Sequence, residues 1–276
     1  MQDNLTGAFE RRLDAKLVLS IVATGIMSFS GVCVETAMNV TFPTLMREFS
    51  VDTATVQWMT TAYLLVLAAV VPVSSFLNRR FRTKRIFCFA MVFYIAGIVC
   101  GMTAQMFPAL LLGRVLEGIG TGVALPLMFN IITEQAPQER LGFMMGVGSL
   151  VTAVAPAVGP SVGGWLAETF GWRAIFAALL PLLVIAFVLG MFSIRQSHEV
   201  SDDPFDFPGW VALALAFAAL VFAVDEGANV GWTSPAIIGL FAAFVVLLAL
   251  FVRRERSCDR PLINLAIFGH TGYDLG

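Results

Sequence analysis

The stretch AIFAALLPLLVIAFVLGMFSI, residues 174–194, decides the fold: it runs 21 positions without one charged side chain. As an α-helix rising 1.5 Å per residue it reaches about 31 Å, the thickness of a bilayer's hydrocarbon core. A segment of this kind in lipid must satisfy its backbone N–H and C=O groups internally, which selects a helix. Working outward, seven more apolar stretches of similar length read as spans: 17–43, 55–77, 86–104, 108–132, 141–166, 208–225 and 235–252. The chain as a whole is 58% hydrophobic and only 13% charged. A soluble domain carries about 25% charged residues, so this composition cannot supply a polar surface of its own. A membrane β-barrel would alternate in strands of about ten residues, a pattern the sequence lacks. The expectation is an all-α integral membrane protein with eight spans, surrounded by the lipid bilayer.

Basic residues set the orientation. Arg11, Arg12 and Lys16 precede the first span; Arg79, Arg80, Arg82, Lys84 and Arg85 separate the second from the third; Arg195 follows the sixth; Arg253, Arg254, Arg256 and Arg260 follow the eighth. With eight spans all of these fall on one side, and the other keeps only Arg47 and Arg173. The positive-inside bias therefore places both ends of this chain in the cytoplasm. The first sixteen residues are polar and lead into the first span with no small-residue cleavage site, so that helix is expected to be retained. The organisation read from these patterns is a cytoplasmic amino-terminal segment 1–16, six spans over 17–194, a cytoplasmic linker 195–207, two further spans within 208–252 and a cytoplasmic tail 253–276.

Several chemistries are excluded or left without support. The basic loop after the second span reads as a topology signal beside anionic lipid, so no nucleic-acid partner is expected. Cys33, Cys88, Cys100 and Cys258 have no metal-ligand spacing and read as packing residues, which leaves no metal site, disulfide framework or cofactor. His198 and His270 lie in polar stretches, and no Ser, His and Asp set reaches membrane depth, so an enzyme is not expected.

Ionisable groups inside spans cost about 2.5–3.5 kcal/mol each on insertion scales, which makes them functional candidates by default. Glu35 lies in the first span; Arg114 and Glu117 lie three apart in the fourth, on neighbouring positions of one helical face. A fixed positive charge favours an ionised carboxylate and burial disfavours it, so a small change in solvent access can switch protonation. Two readings stand: a proton-coupling group, or a structural ion pair holding helices together. Glu35 has its own alternative, a place at the edge of a water-filled cavity.

The fifth span holds AVAPAVGPSVGG at 153–164, with Pro156, Gly159, Pro160, Gly163 and Gly164 in about three turns. Proline removes a backbone donor and bends a helix; glycine admits a neighbouring backbone. The cluster reads either as a gate between two helix bundles or as plain close packing.

These two segments carry a resemblance. GRVLEGIGTG at 113–122 resembles the fourth-helix motif of the major facilitator superfamily, and AVAPAVGPSVGGWL resembles its fifth-helix antiporter motif. ETAMNVTFPTLM at 35–46, FGWRAIF at 170–176, VDEGANVGWTSP at 224–235 and ERSCDRPLINLAIF at 255–268 are similar to segments of the fourteen-helix drug:proton antiporter branch, the group of EmrB, QacA and the lincomycin-resistance-type exporters. The resemblance covers nearly the whole chain. It implies an amino-terminal six-helix bundle with inverted repeats, followed by two inserted transmembrane helices and then a second six-helix bundle. The sequence stops at Gly276, near where a ninth span would begin. The expectation is thus a truncated or partial transporter, its carboxy-terminal bundle absent or separately encoded.

The resemblance further implies multidrug efflux by antiport against protons across the inner (cytoplasmic) membrane, with a small amphipathic or cationic drug as substrate. Exporter of an endogenous metabolite, and inactive remnant or half-transporter needing a partner, are the alternatives. Proton coupling would fall to Glu35, Arg114 and Glu117. In the cytoplasmic loop motif, Ser75, Arg79 and Arg82 stand where the family has glycine, aspartate and glycine, while Leu77, Lys84 and Arg85 match its flanks. The aspartate's role in locking the bundles is therefore in question here. In the first helix the family's acidic position falls on Val34, one residue and about 100° from Glu35; in the fourth, its glutamine is Glu117. Asn39, Trp58, Tyr63, Met128 and Asn130 are candidates for a substrate cavity, each also readable as simple packing.

Overall fold

The computed structural model describes residues 14–197, 200–201 and 205–257, with only the backbone at 228 and 229. Arg11, Arg12, Arg260, Cys258, His198, His270 and the tail beyond 257 lie outside the described residues. Among those described there are nine α-helices and no strand, and eight of the helices are long and apolar enough to cross a membrane. They are α1 Ala15–Val40, α3 Thr53–Arg80, α4 Thr83–Thr103, α5 Phe107–Gln135, α6 Gln138–Phe170, α7 Arg173–Ser193, α8 Phe207–Val230 and α9 Pro235–Ser257. The ninth, α2 Phe42–Phe49, is one the span-by-span reading did not anticipate.

The first span was expected to reach residue 43, but α1 ends at Val40. Thr41 turns the chain, and α2 starts afresh with Pro43 near its first turn, where a missing N–H costs nothing. Leu45 is buried on one side of α2, while Arg47 and Glu48 stand on the others. Such a helix belongs at the rim of a membrane and not across it. Ser50 in the left-handed conformation, φ 53°, closes it before Asp52 caps α3 by accepting from Thr55 N at 2.8 Å.

Six long helices, α1 and α3 to α7, share one core that includes Met27, Met38, Met59, Phe87, Tyr94, Leu110, Met128 and Phe176. Helices α8 and α9 pair with each other around Leu213 and Phe251, and lean on α3 through Phe76. At one end of the bundle, Arg195 pairs with Asp14 at 2.7 Å, Thr83 N donates to Gln196 Oε1 at 2.9 Å, and Ser201 N donates to the Arg79 carbonyl at 2.9 Å. Asp14, which caps α1, is held below the ordinary carboxylate range by the hydrogen bond it accepts from the backbone of Leu17, with help from Arg195. These contacts gather the basic ends of α3 and α7 with the start of α1, so the charge asymmetry read from the sequence is an asymmetry of the folded bundle.

At the opposite end stands a compact clamp. Glu48 accepts from Trp172 Nε1 at 2.6 Å and from Arg173 Nη1 at 2.7 Å, and Arg173 Nη2 donates to the Ala104 carbonyl at 2.6 Å. The guanidinium also lies over the Trp172 ring, 4.1 Å from its centroid. Partial burial works against the Glu48 charge, but the bonds from Trp172 and Arg173 outweigh it and hold the carboxyl below its usual range. A carboxylate depressed in the folded state contributes stability above its unfolded pKa, about 4.3, and loses it as pH falls through the folded value. The pair is more than a third exposed on both sides, which limits it to about 1 kcal/mol or less. Arg173→Ala should therefore lower the unfolding midpoint modestly in detergent at neutral pH, and the gap from the unmodified chain should shrink below roughly pH 4. A gap that widens in acid would contradict this account.

Candidate functional site: a buried arginine at the centre of the bundle

Helix α5 lies between three neighbours because its sequence gives each of them a smooth face. A β-carbon at Gly120 would stand 2.7 Å from the Ala90 carbonyl of α4, and one at Gly118 would stand 3.1 Å from the Tyr63 carbonyl of α3. The first approach is closer than real β-carbons come and the second is tighter than most, so the glycines of GRVLEGIGTG set the helix spacing. Thr121 fits against Gly31 of α1 in the same way. With its backbone drawn in, α5 carries its two ionisable side chains into the packed interior.

Arg114 is 1% exposed and Glu117 is fully buried. The two are paired through Arg114 Nη1 and Glu117 Oε2. Helix α3 supplies the rest of the cradle: the Met59 carbonyl accepts from Arg114 Nε at 3.5 Å, and the Tyr63 ring lies 4.3 Å from the guanidinium carbon. A desolvated cation over an aromatic face gains about 2 kcal/mol, so Arg114 is held by a carboxylate, a carbonyl and a ring from two helices. Glu35 of α1, half-buried, lies within electrostatic reach of Arg114 and Tyr63, but makes no ion pair with the arginine. Tyr94 of α4 and Cys33 of α1 complete the surroundings. Glu117 Oε1 and the Tyr94 hydroxyl are buried without a protein hydrogen-bond partner. Leaving such a group unpaired costs about 1–3 kcal/mol.

The antiporter-like segment of α6 lies against α1 at Cys33, Thr36 and Ala37, the residues on either side of Glu35. A β-carbon at Gly159 would stand 2.9 Å from the Cys33 carbonyl, and one at Gly163 would stand 2.8 Å from Ala37 Cα. Gly164 has ordinary room, its nearest neighbour Val40 being 3.7 Å away, and Pro156 and Pro160 are exposed. The helix continues through both prolines. Gly159→Val should push α6 off α1 at a cost of about 1–3 kcal/mol, seen as a lower unfolding midpoint in detergent, whereas Gly164→Ala should leave it nearly unchanged. Equal effects would refute the close-packing account of this seam.

The other sequence candidates scatter. Trp58, a cavity candidate that also read as simple packing, sets its ring edge-on against Phe222 of α8, centroids 5.6 Å apart. Tyr63 belongs to the site, as the cradle of Arg114. Asn39 is exposed and accepts from Thr60 Oγ1 at 2.8 Å, joining α1 to α3. Met128 is fully buried between Gly25 and Gly148, beside an apolar recess of about 220 Å³ between α1 and α6, and Asn130 is half-buried further along α5. In the loop motif, Ser75, Arg82, Lys84 and Arg85 are exposed, Leu77 packs on the core, and the Arg79 carbonyl takes the bond from Ser201. Tyr94 and Thr121 were not anticipated; a hydroxyl-bearing side chain in mid-span was their only signal. Among the described residues no three His, Cys, Asp or Glu side chains are grouped so as to hold a metal ion.

Residues 24–256 match the family model described as Major Facilitator Superfamily. The chain belongs to the major facilitator superfamily. That places it among membrane transporters and not among enzymes, and makes it a multi-pass membrane protein. The lincomycin resistance protein LmrB of Listeria monocytogenes is 35% identical over 277 aligned positions, which take in 100% of this chain and 58% of that protein. The multidrug resistance protein B homolog of Mycobacterium tuberculosis is 30% identical over 260, covering 88% of this chain and 47% of the relative. The chain thus spans about half the length of the curated relatives it matches. The crystal structure of the POT family transporter PepTSo shares the fold with a TM-score of 0.59 at 16% identity, over 92% of this chain and 56% of that one. In the terms of the superfamily, α1 and α3 to α7 form the amino-terminal bundle, and α8 and α9 follow it.

Proposed function

We propose that this chain is the amino-terminal part of a proton-coupled drug exporter of the inner (cytoplasmic) membrane, with both of its ends on the cytoplasmic side. One observation carries the reading: an arginine, paired with a carboxylate and shut away from solvent on α5, lies within electrostatic reach of a second carboxylate, Glu35, that is only half-buried. A proton arriving from outside reaches Glu35 or Glu117, and neutralising either one weakens the hold on Arg114. The helices around the arginine then shift, drug leaves outward, and loss of the proton to the cytoplasm resets the site. Alternating access of this kind rocks one bundle against another around a midplane site, and the additional length of the relatives leaves room for that second bundle. The names of those relatives, which speak of lincomycin and multidrug resistance, support a small amphipathic or cationic drug-like substrate.

The test is flux in proteoliposomes that hold the complete transporter. Drug movement should follow an imposed pH gradient and stop when a protonophore collapses it. Flux indifferent to the gradient would remove proton coupling from the reading.

A further inference from the structure

Asp225 lies inside the apolar helix α8 and accepts a hydrogen bond from Thr61 Oγ1 of α3 at 2.9 Å. It belongs to the stretch VDEGANVGWTSP. The Trp232 ring lies against Gly227, where a β-carbon would stand 2.7 Å from it, and Gly231 closes α8 with φ 95°. The carboxylate of Asp225 instead reaches out to a neighbouring helix. Asp225 is half-buried near the end of this apolar helix, and the bond from Thr61 fixes it to α3.

Thr61 is 3% exposed and falls midway between the two residues of α3 that hold Arg114, the Met59 carbonyl and the Tyr63 ring. Its neighbour Thr60 ties α3 to Asn39 of α1, and Trp58 packs on Phe222. Residues 58–63 therefore connect α3 to α1, α5 and α8 within two turns. One residue is about 100° of helix rotation, so a small turn of this segment carries both the carbonyl and the ring away from the guanidinium. We propose that Asp225 is a positioning residue for the Arg114 site, holding α3 through Thr61 in the register that sets Met59 and Tyr63 on the arginine. The inserted α8–α9 hairpin is then a working part of the site. The inference builds on the reading of that site as the coupling centre, but its geometry can be tested without transport.

The measurement is solid-state NMR of the chain in lipid nanodiscs with ¹³C-labelled arginine. The Tyr63 ring current displaces the Arg114 Cζ resonance, which Arg114→Lys identifies by removing it. Thr61→Val, close in shape to threonine, and Asp225→Ala should both return the resonance toward the position of the other arginines. Thr61→Ser and Asp225→Asn keep a donor and an acceptor and should leave it displaced. A resonance unmoved in Thr61→Val overturns the proposal, as does an Asp225→Asn shift equal to that of Asp225→Ala. Flux that ignores a pH gradient would defeat the antiport reading while leaving this result intact.

Discussion

Glu117→Gln in the complete transporter is expected to abolish drug efflux driven by a pH gradient while leaving the protein folded and inserted. Glutamine matches glutamate in shape and keeps a carbonyl to accept from Arg114 Nη1, so the cradle of Met59 and Tyr63 still holds the guanidinium. What disappears is the capacity to take up and release a proton at the one acidic position that touches the arginine. Loss of gradient-driven flux, with unchanged protein in the membrane, is the result that fits; the unfolding midpoint should fall, because Arg114 keeps a buried charge without its carboxylate. Unchanged flux would remove Glu117 from the mechanism and leave Glu35 as the acidic candidate near the arginine.

Arg114→Leu is the second large effect, and here the loss is of stability. Removing one member of a buried ion pair strands the other, at about 3–5 kcal/mol; Glu117, fully buried with Oε1 already unpaired, has no other cation in its described surroundings. The double variant Arg114→Leu with Glu117→Gln should recover much of that loss, since replacing both members of a buried pair is often close to neutral. Thermal unfolding of the single and double variants in detergent gives the comparison. A double variant no more stable than Arg114→Leu would mean that the arginine stabilises the bundle through Tyr63 and Met59 and not through its carboxylate. Arg114→Lys separates the contributions further: lysine keeps the charge but loses the planar donors and the stacking, so a wild-type pH dependence of efflux in that variant would argue against a guanidinium-specific role.

The two predictions rest on different links of one chain. Close approach of α5 to α3 and α4 follows from glycines in its sequence. Burial of Arg114 and Glu117 follows from that approach. The coupling role is the step proposed from the burial.

Lipid is what made so much of this protein legible from its residues alone. A bilayer requires each crossing segment to be apolar and hydrogen-bonded within itself, so the eight long helices, their order and the gathering of basic residues at one end were all written as local composition. The singular residues stood out for the same reason: Arg114, Glu117 and Glu35 are costly in such segments, and Gly159 and Gly163 are conspicuous. Side-chain direction was not written locally. Tyr63 was a cavity candidate with no partner named until α3 laid its ring on the guanidinium; Trp58, five residues earlier, turned to α8; and α2 emerged where Pro43 restarts the helix beyond Thr41. Nor did the spacing of letters connect Thr61 with Asp225, residues far apart in the chain. Hydrophobic periodicity reports which segments enter the membrane, and it carries no record of which faces meet, because lipid and a packed helix are almost equally apolar neighbours. Those meetings were decided by shape, at glycines where backbones close up and at the few polar atoms that found one another across helices.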